Sequence, residues 1–192
     1  LNKIANAFII SGIQPNERIA ILGGNSVDYA LLFLGALRAG ACVTPLSTLA
    51  STESLVGMIN DSESKILFVS KAYAEMIEPI ESQLKTLLNN GLKNLDYEGD
   101  SRESLATFLL KGSTDEVNLP ISLDWGFNLI YSSGTTGLPK GILQSRLYRA
   151  IECQGLADLG LDSSSHGLVS TPLYSNTTLF LFLAILGNGG AV

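Results

Sequence analysis

Short apolar runs and helix-like stretches alternate along the first half of this chain. That alternation is the pattern of βαβ crossovers and a mostly parallel sheet. The strand-like runs fall at 18–22, 42–46, 65–69 and 93–97. Before the first of them, Leu1, Ile4, Ala5, Phe8 and Ile9 share one helical face, with Asn2, Lys3 and Asn6 opposite. A second helix is predicted from Ser26 to Ala39 and is apolar nearly all round, so it should be buried on most sides. Its charges, Asp28 near the start and Arg38 near the end, have the signs the helix dipole favours. Gly40 is placed to close it. A third helix opens at Ser51-Thr52 and runs through Met58 and Ile59. From Tyr73 the positions Met76, Ile77, Ile80, Leu84, Leu87 and Leu88 keep helical phase across Pro79, which predicts a kink or a new start there. The expected architecture is therefore layered α/β, a mostly parallel sheet with helices on both faces.

The 192 residues are 46% hydrophobic and 16% charged, enough apolar material for an ordinary core and too much for a disordered tail. Eighteen acidic residues against twelve basic ones leave a net charge of −6, which argues against a nucleic-acid partner. The cysteines, Cys42 and Cys153, have no CxxC spacing and read as buried free thiols. The longest apolar run, 179–186, is far shorter than the roughly 20 residues that span a bilayer. No transmembrane segment or signal peptide is read, and a cytoplasmic location is expected. Leu1 already lies in a helical pattern, and Gly189-Gly190-Ala191-Val192 reads as a turn entering a strand; both ends look interior to a longer protein.

Three stretches divide the chain: a βα block at 1–97, a Ser- and acid-rich surface excursion at 98–123, and a second block at 124–192. The excursion carries one short helix candidate around Leu105 to Leu110. The second block opens with an apolar strand, Phe127 to Tyr131, leading into Tyr131-Ser132-Ser133-Gly134-Thr135-Thr136-Gly137-Leu138-Pro139-Lys140-Gly141. Glycines let a backbone bring its N–H groups close to an anion, hydroxyls donate further hydrogen bonds, and Lys140 adds a positive charge. This is the composition of a phosphate cradle, and equally that of a flexible polar surface turn. It is neither a Walker A loop, since no Ser or Thr follows Lys140, nor the G-x-G-x-x-G dinucleotide fingerprint.

The order of residues in that run resembles the AMP-binding signature of the adenylate-forming superfamily. That group comprises acyl- and aryl-CoA synthetases, luciferases and peptide-synthetase adenylation domains. Every position from Tyr131 to Gly141 fits the signature. The stretch from Leu34 to Leu46, with its Ala39-Gly40-Ala41 before a strand and Pro45-Leu46, is similar to an upstream motif of the same family. Asp124 to Ile130 is similar to the acidic residue and strand that lead into the loop, and Thr171-Pro172-Leu173-Tyr174-Ser175-Asn176 to the segment lining the acyl site.

The resemblance implies part of an N-terminal AMP-binding domain, the C-terminal domain lying outside the chain. It also implies a carboxylic acid–CoA ligase that uses ATP, Mg²⁺ and coenzyme A as acceptor, with roles in fatty acid metabolism. Ser132, Ser133, Thr136 and the backbones of Gly134 and Gly137 would hold the β- and γ-phosphates. Thr135 would stand near Mg²⁺, Lys140 would steady the loop or the leaving pyrophosphate, and Tyr174 and Ser175 would border the substrate carboxylate. Two positions depart from the family: Ser175 stands where many members carry His, and Ser145-Arg146 replaces a Ser/Thr-His pair. No Asp occurs between Thr171 and Leu179 to meet an α-ammonium, so a simple carboxylic acid is favoured over an amino acid. For 179–183 an acyl tunnel and a core helix are both open readings, and His166 is expected in solvent. A luciferase-like enzyme, a peptide-synthetase adenylation domain and a non-catalytic nucleotide-binding module remain alternatives. The isolated chain is expected to be inactive and to self-associate.

Overall fold

The computed structural model of the chain describes residues 1–98, 101–132 and 139–192. In chain order the elements are α1 (Asn2–Ile10), β1 (Arg18–Leu22), α2 (Val27–Arg38), β2 (Cys42–Pro45), α3 (Thr52–Asp61) and β3 (Ile66–Val69). There follow α4 (Ala74–Ile77), β4 (Leu92–Asn94), α5 (Leu105–Leu109), β5 (Gly126–Ser132), β6 (Lys140–Ser145), α6 (Arg146–Asp158) and α7 (Asn176–Gly187). The strands form one six-stranded sheet in the order β4-β3-β1-β2-β5-β6. Every pairing is parallel except β5 with β6.

Successive residues of a strand point to opposite faces of the sheet, and here different helices bury the two faces. Ile19 and Ile21 of β1, Val43 of β2, and Ile66 and Phe68 of β3 share a core with α1, α2, α5 and α7. Ala20 and Leu22, with Leu67 and Val69, share the other with α3 and α4. Strands read from sequence as continuous apolar runs are thus sandwiched strands, as a parallel sheet requires.

The ends of α2 follow from its residues. Ser26 Oγ accepts from the Tyr29 N–H at 3.0 Å. At the far end Gly40, at φ +81°, lets its own N–H reach Leu37 O at 3.1 Å and the Ala41 N–H reach Ala36 O at 3.0 Å. That is a Schellman closure, whose left-handed position favours glycine.

Four sequence expectations need correction. Leu1 and Ile9 of the predicted face are 51% and 37% exposed and Ala7 is buried, while Ile4 of α1 seats against Gly35 of α2. The helix predicted from Tyr73 is α-helical only at Ala74–Ile77; Glu78–Gln83 is a 3₁₀ turn with Pro79 at its start, and Leu87 and Leu88 lie outside any helix. Pro79 lacks the N–H that would continue the α ladder. The fourth strand is Leu92–Asn94, shorter than the run 93–97. The stretch 98–123 is more than a surface excursion, since α5 buries Leu105 and Phe108. The Phe108 ring meets Phe8 at 5.1 Å and Phe68 at 5.4 Å, edge to face, tying α5 to α1 and β3.

Cys42 is buried in β2 and Cys153 is half-buried in α6, both as free thiols. Among the described residues no helix is long and apolar enough to cross a membrane.

Candidate nucleotide and acid site

The glycine-rich run links β5 to β6, which pair antiparallel. Ser132 and Lys140 are the last register pair of that hairpin, facing each other across the open end. Both side chains are exposed. Ser133, Gly134, Thr135, Thr136 and Gly137, with Leu138, lie outside the described residues. The hairpin stands at the carboxyl edge of the parallel strands, where sheets of this kind receive ligands.

Its frame is fixed from below. Tyr131 Oη donates to Asp61 Oδ2 at 2.6 Å, joining β5 to the end of α3. Burial, and then the Asp61 carboxylate, push this phenol well above its usual range, so it stays a donor. Across the hairpin, a Cβ at Gly141 would lie 3.1 Å from Leu129 Cδ1 and 3.2 Å from the Tyr131 ring. Glycine there lets the ring lie flat against the partner strand.

A second segment converges on the same edge. Asn25, in the loop after β1, donates from Nδ2 to Thr171 O at 2.9 Å and accepts from the Leu173 N–H at 2.8 Å. This clamp holds the run Thr171–Asn176 against the end of the central strand. Tyr174 sits half-buried in a turn closed by the Ser175 N–H on Pro172 O at 2.9 Å, not at a strand end. Ser175 is half-buried directly before α7, and its hydroxyl makes no capping bond to that helix. Tyr29 is fully buried, and burial first and Tyr174 second raise its phenol far above the ordinary value.

Sequence reasoning missed the group that joins the two segments. Arg149 of α6 is 2% exposed. Its Nε donates to Asn128 Oδ1 at 3.0 Å, one terminal nitrogen to Glu152 at 2.7 Å, and the other to Asn176 Oδ1 at 2.8 Å and to Gln144 Oε1. Asn128 Nδ2 also donates to Gln144 Oε1 at 2.7 Å, and Gln144 Nε2 to Asn176 Oδ1 at 3.0 Å. Asn128 and Gln144 are a cross-strand pair in the hairpin, and Asn176 follows Ser175. No pattern within one element signalled it, since Arg149 is the single buried residue of α6.

The pair Ser145-Arg146 is turned to structural work. Ser145 Oγ caps α6 by accepting from the Tyr148 N–H at 3.2 Å. Arg146 donates to Leu37 O at 3.1 Å and Ala41 O at 3.0 Å, at the carboxyl end of α2, where a cation suits the dipole. Of the run 179–183, Leu179, Phe182 and Leu183 are core residues packed with α1 and α2. His166 is exposed, its Nδ1 2.8 Å from Ser164 O, so its expectation holds. Among the described residues no group of three His, Cys, Asp or Glu is placed to hold a metal.

A parallel sheet covered by helices on both faces, with the strand pair β5–β6 opening at its carboxyl edge, defines an α/β fold of the kind that receives ligands at that edge. The AMP-binding enzyme family model matches residues 1–192, and the chain belongs to that family. It is 31% identical over 144 residues to a long-chain-fatty-acid–CoA ligase of Mycobacterium tuberculosis, covering 75% of this chain and 27% of that protein. With the oxalate–CoA ligase of Arabidopsis thaliana it shares 30% identity over 190 residues, 95% of this chain and 35% of the relative. The crystal structure of ATP-bound MatB from Rhodopseudomonas palustris superposes with a TM-score of 0.83 at 25% identity, over 99% of this chain and 37% of that one. The chain thus spans about a third or less of the length of these relatives.

Proposed function

We propose that this chain supplies the phosphate-gripping part of an ATP-dependent carboxylic acid–CoA ligase. In this reading 1–97 and 124–192 are two βα blocks of an N-terminal AMP-binding domain, joined through 98–123, with a C-terminal domain beyond. The observation that carries it is the facing pair Ser132 and Lys140 at the mouth of a hairpin whose sequence matches the family signature throughout.

The donor set fits a triphosphate. Lys140 Nζ is an exposed ammonium opposite the exposed Ser132 hydroxyl, and neither has a protein partner among the described residues. With them, Ser133, Thr136 and the amides of Gly134 and Gly137 would hold the β- and γ-phosphates, and Thr135 would be the hydroxyl for the accompanying Mg²⁺, which would neutralise charge on the phosphates. ATP supplies an electrophilic α-phosphorus and a leaving group. The substrate carboxylate, bordered by Tyr174 and Ser175, attacks that phosphorus; the bond to the bridging oxygen breaks and pyrophosphate departs. Charge builds on the departing oxygens, and a preorganised ammonium and hydroxyls are worth most there. The resulting acyl-adenylate passes its acyl group to the thiol of coenzyme A. With no Asp in the segment to pair an α-ammonium, the acid is a simple carboxylic acid, and the enzyme works in the cytoplasm.

Acid-dependent ATP–pyrophosphate exchange by the full-length gene product, over fatty, aryl and short dicarboxylic acids, tests this. Exchange with at least one acid is expected. ATP binding by calorimetry without exchange on any acid would instead make the protein a nucleotide-binding module. The 192-residue chain alone is expected to bind without turnover, and exchange by it would overturn that part. Ile142, Leu143 and Ile151 are exposed on β6 and α6, and we infer self-association of the isolated chain through this edge. A monomer in sedimentation at high concentration would count against it.

A further inference from the structure

Arg149 is an expensive way to fill a core position. A buried guanidinium must recover its lost hydration from well-placed partners, and an apolar side chain of similar volume is often at least as stable. What the guanidinium adds is direction: a rigid, planar set of donors that fixes its partners relative to one another. Here the partners come from β5 (Asn128), β6 (Gln144), α7 (Asn176) and its own helix (Glu152). Two of them are the cross-strand pair below the phosphate turn, and the third is the neighbour of Ser175.

We propose that Arg149 is a positioning residue that sets the phosphate hairpin against the acid-binding turn, so that the carboxylate meets the α-phosphorus in line. This rests on the ligase reading above. The hairpin arms pass from Asn128 to Ser132 and from Gln144 to Lys140 with no irregularity in register between those pairs. A shift at the base is therefore carried to the mouth. On the other side Asn176 is the first residue of α7, so the same guanidinium sets where Ser175 and Tyr174 enter the site. In-line attack is sensitive to such placement, with misplacement of about 1 Å costing roughly a hundredfold in rate.

The test uses Arg149→Lys, which keeps charge and loses the fork, and Asn176→Ala, which cuts the tie to α7 by removing its bonds from both Arg149 and Gln144. In acid-dependent exchange by the full-length gene product, both are expected to lower kcat about tenfold or more. KM for ATP should stay within about twofold, because the phosphate groups themselves are untouched. A role in folding alone would lower the thermal midpoint or the active fraction and leave kcat per active site unchanged; that result overturns the proposal. Hydrogen exchange on the same proteins without substrates gives a readout independent of chemistry. Asn176→Ala should speed amide exchange in Lys140–Ser145 as well as at the start of α7. Faster exchange confined to α7 overturns the coupling, even if the wild type activates no acid tested and the ligase reading fails.

Discussion

Ser132 and Lys140 face each other as the terminal pair of the β5–β6 ladder, one hydroxyl and one ammonium on either side of the glycine-rich stretch in sequence. The lysine side chain is exposed, while its backbone belongs to a strand. Lys140→Ala should therefore leave the fold intact while lowering the adenylation kcat by about a hundredfold, the usual cost of removing one preorganised transition-state donor. Exchange kinetics beside an unchanged thermal midpoint would show this; unaltered kcat would remove Lys140 from the mechanism.

Gly141→Ala sets a methyl 3.2 Å from the ring of Tyr131 and 3.1 Å from Leu129 Cδ1, so both side chains must give way by a few tenths of an ångström. The expected cost is about 1–3 kcal/mol of stability, read from urea unfolding. Tyr131→Phe keeps the ring and loses only the bond to Asp61, so it should cost about 1 kcal/mol. The order of the two effects matters more than their size: if Tyr131→Phe were the worse, the ring's fit would not be what Gly141 protects.

Glu103 accepts from Lys93 at 2.7 Å and from Lys111 at 2.8 Å. Burial would raise its carboxyl, but the two ammonium groups outweigh burial and hold it below its ordinary value. A carboxyl with a depressed folded pKa adds stability above its unfolded value, about 4.3. That contribution is lost as pH falls through the folded value. Unfolding free energy measured between pH 6 and pH 3 should therefore drop more steeply in the wild type than in Glu103→Gln. At neutral pH the variant should be weaker by about 3 kcal/mol, because the Lys93 ammonium, 5% exposed, loses its counter-charge.

The Cys42 thiol is pushed up to about 11, by burial first, against the opposing pull of Arg18 and Arg146. At pH 8 it is protonated and covered, so a disulfide reagent should label it only after denaturation. Mass spectrometry of native and unfolded samples distinguishes the two thiols. Prompt native labelling of Cys42 would mean β2 opens far more readily than its central place in the sheet allows.

Features that live in consecutive residues were readable in advance. The apolar runs of β1 and β3, the closure of α2 at Gly40 and the break at Pro79 each follow from chemistry within a few positions. The glycine-rich loop was legible because glycines, hydroxyls and one lysine crowd a single stretch, but the strand β6 that follows it was not read. The Arg149 cluster was not, since Asn128, Gln144, Arg149 and Asn176 sit on four elements and become neighbours only when the sheet and helices assemble. The clamp by Asn25 was hidden for the same reason. The burial of α5 through Phe108 was not legible because acidic and Ser-rich surroundings gave that short helix the look of a surface segment.

The division of Ile19 and Ile21 from Ala20 and Leu22 makes the central strand intolerant of odd-numbered length changes. Losing one residue from β1 would send two isoleucines toward α3 and an alanine toward α2, leaving a void on one side and a clash on the other. In β3 the same slip would pull Phe68 out of the ring cluster with Phe8 and Phe108. Evolution of this sheet can lengthen or shorten its strands by pairs, or vary its loops, but it cannot drift one position at a time.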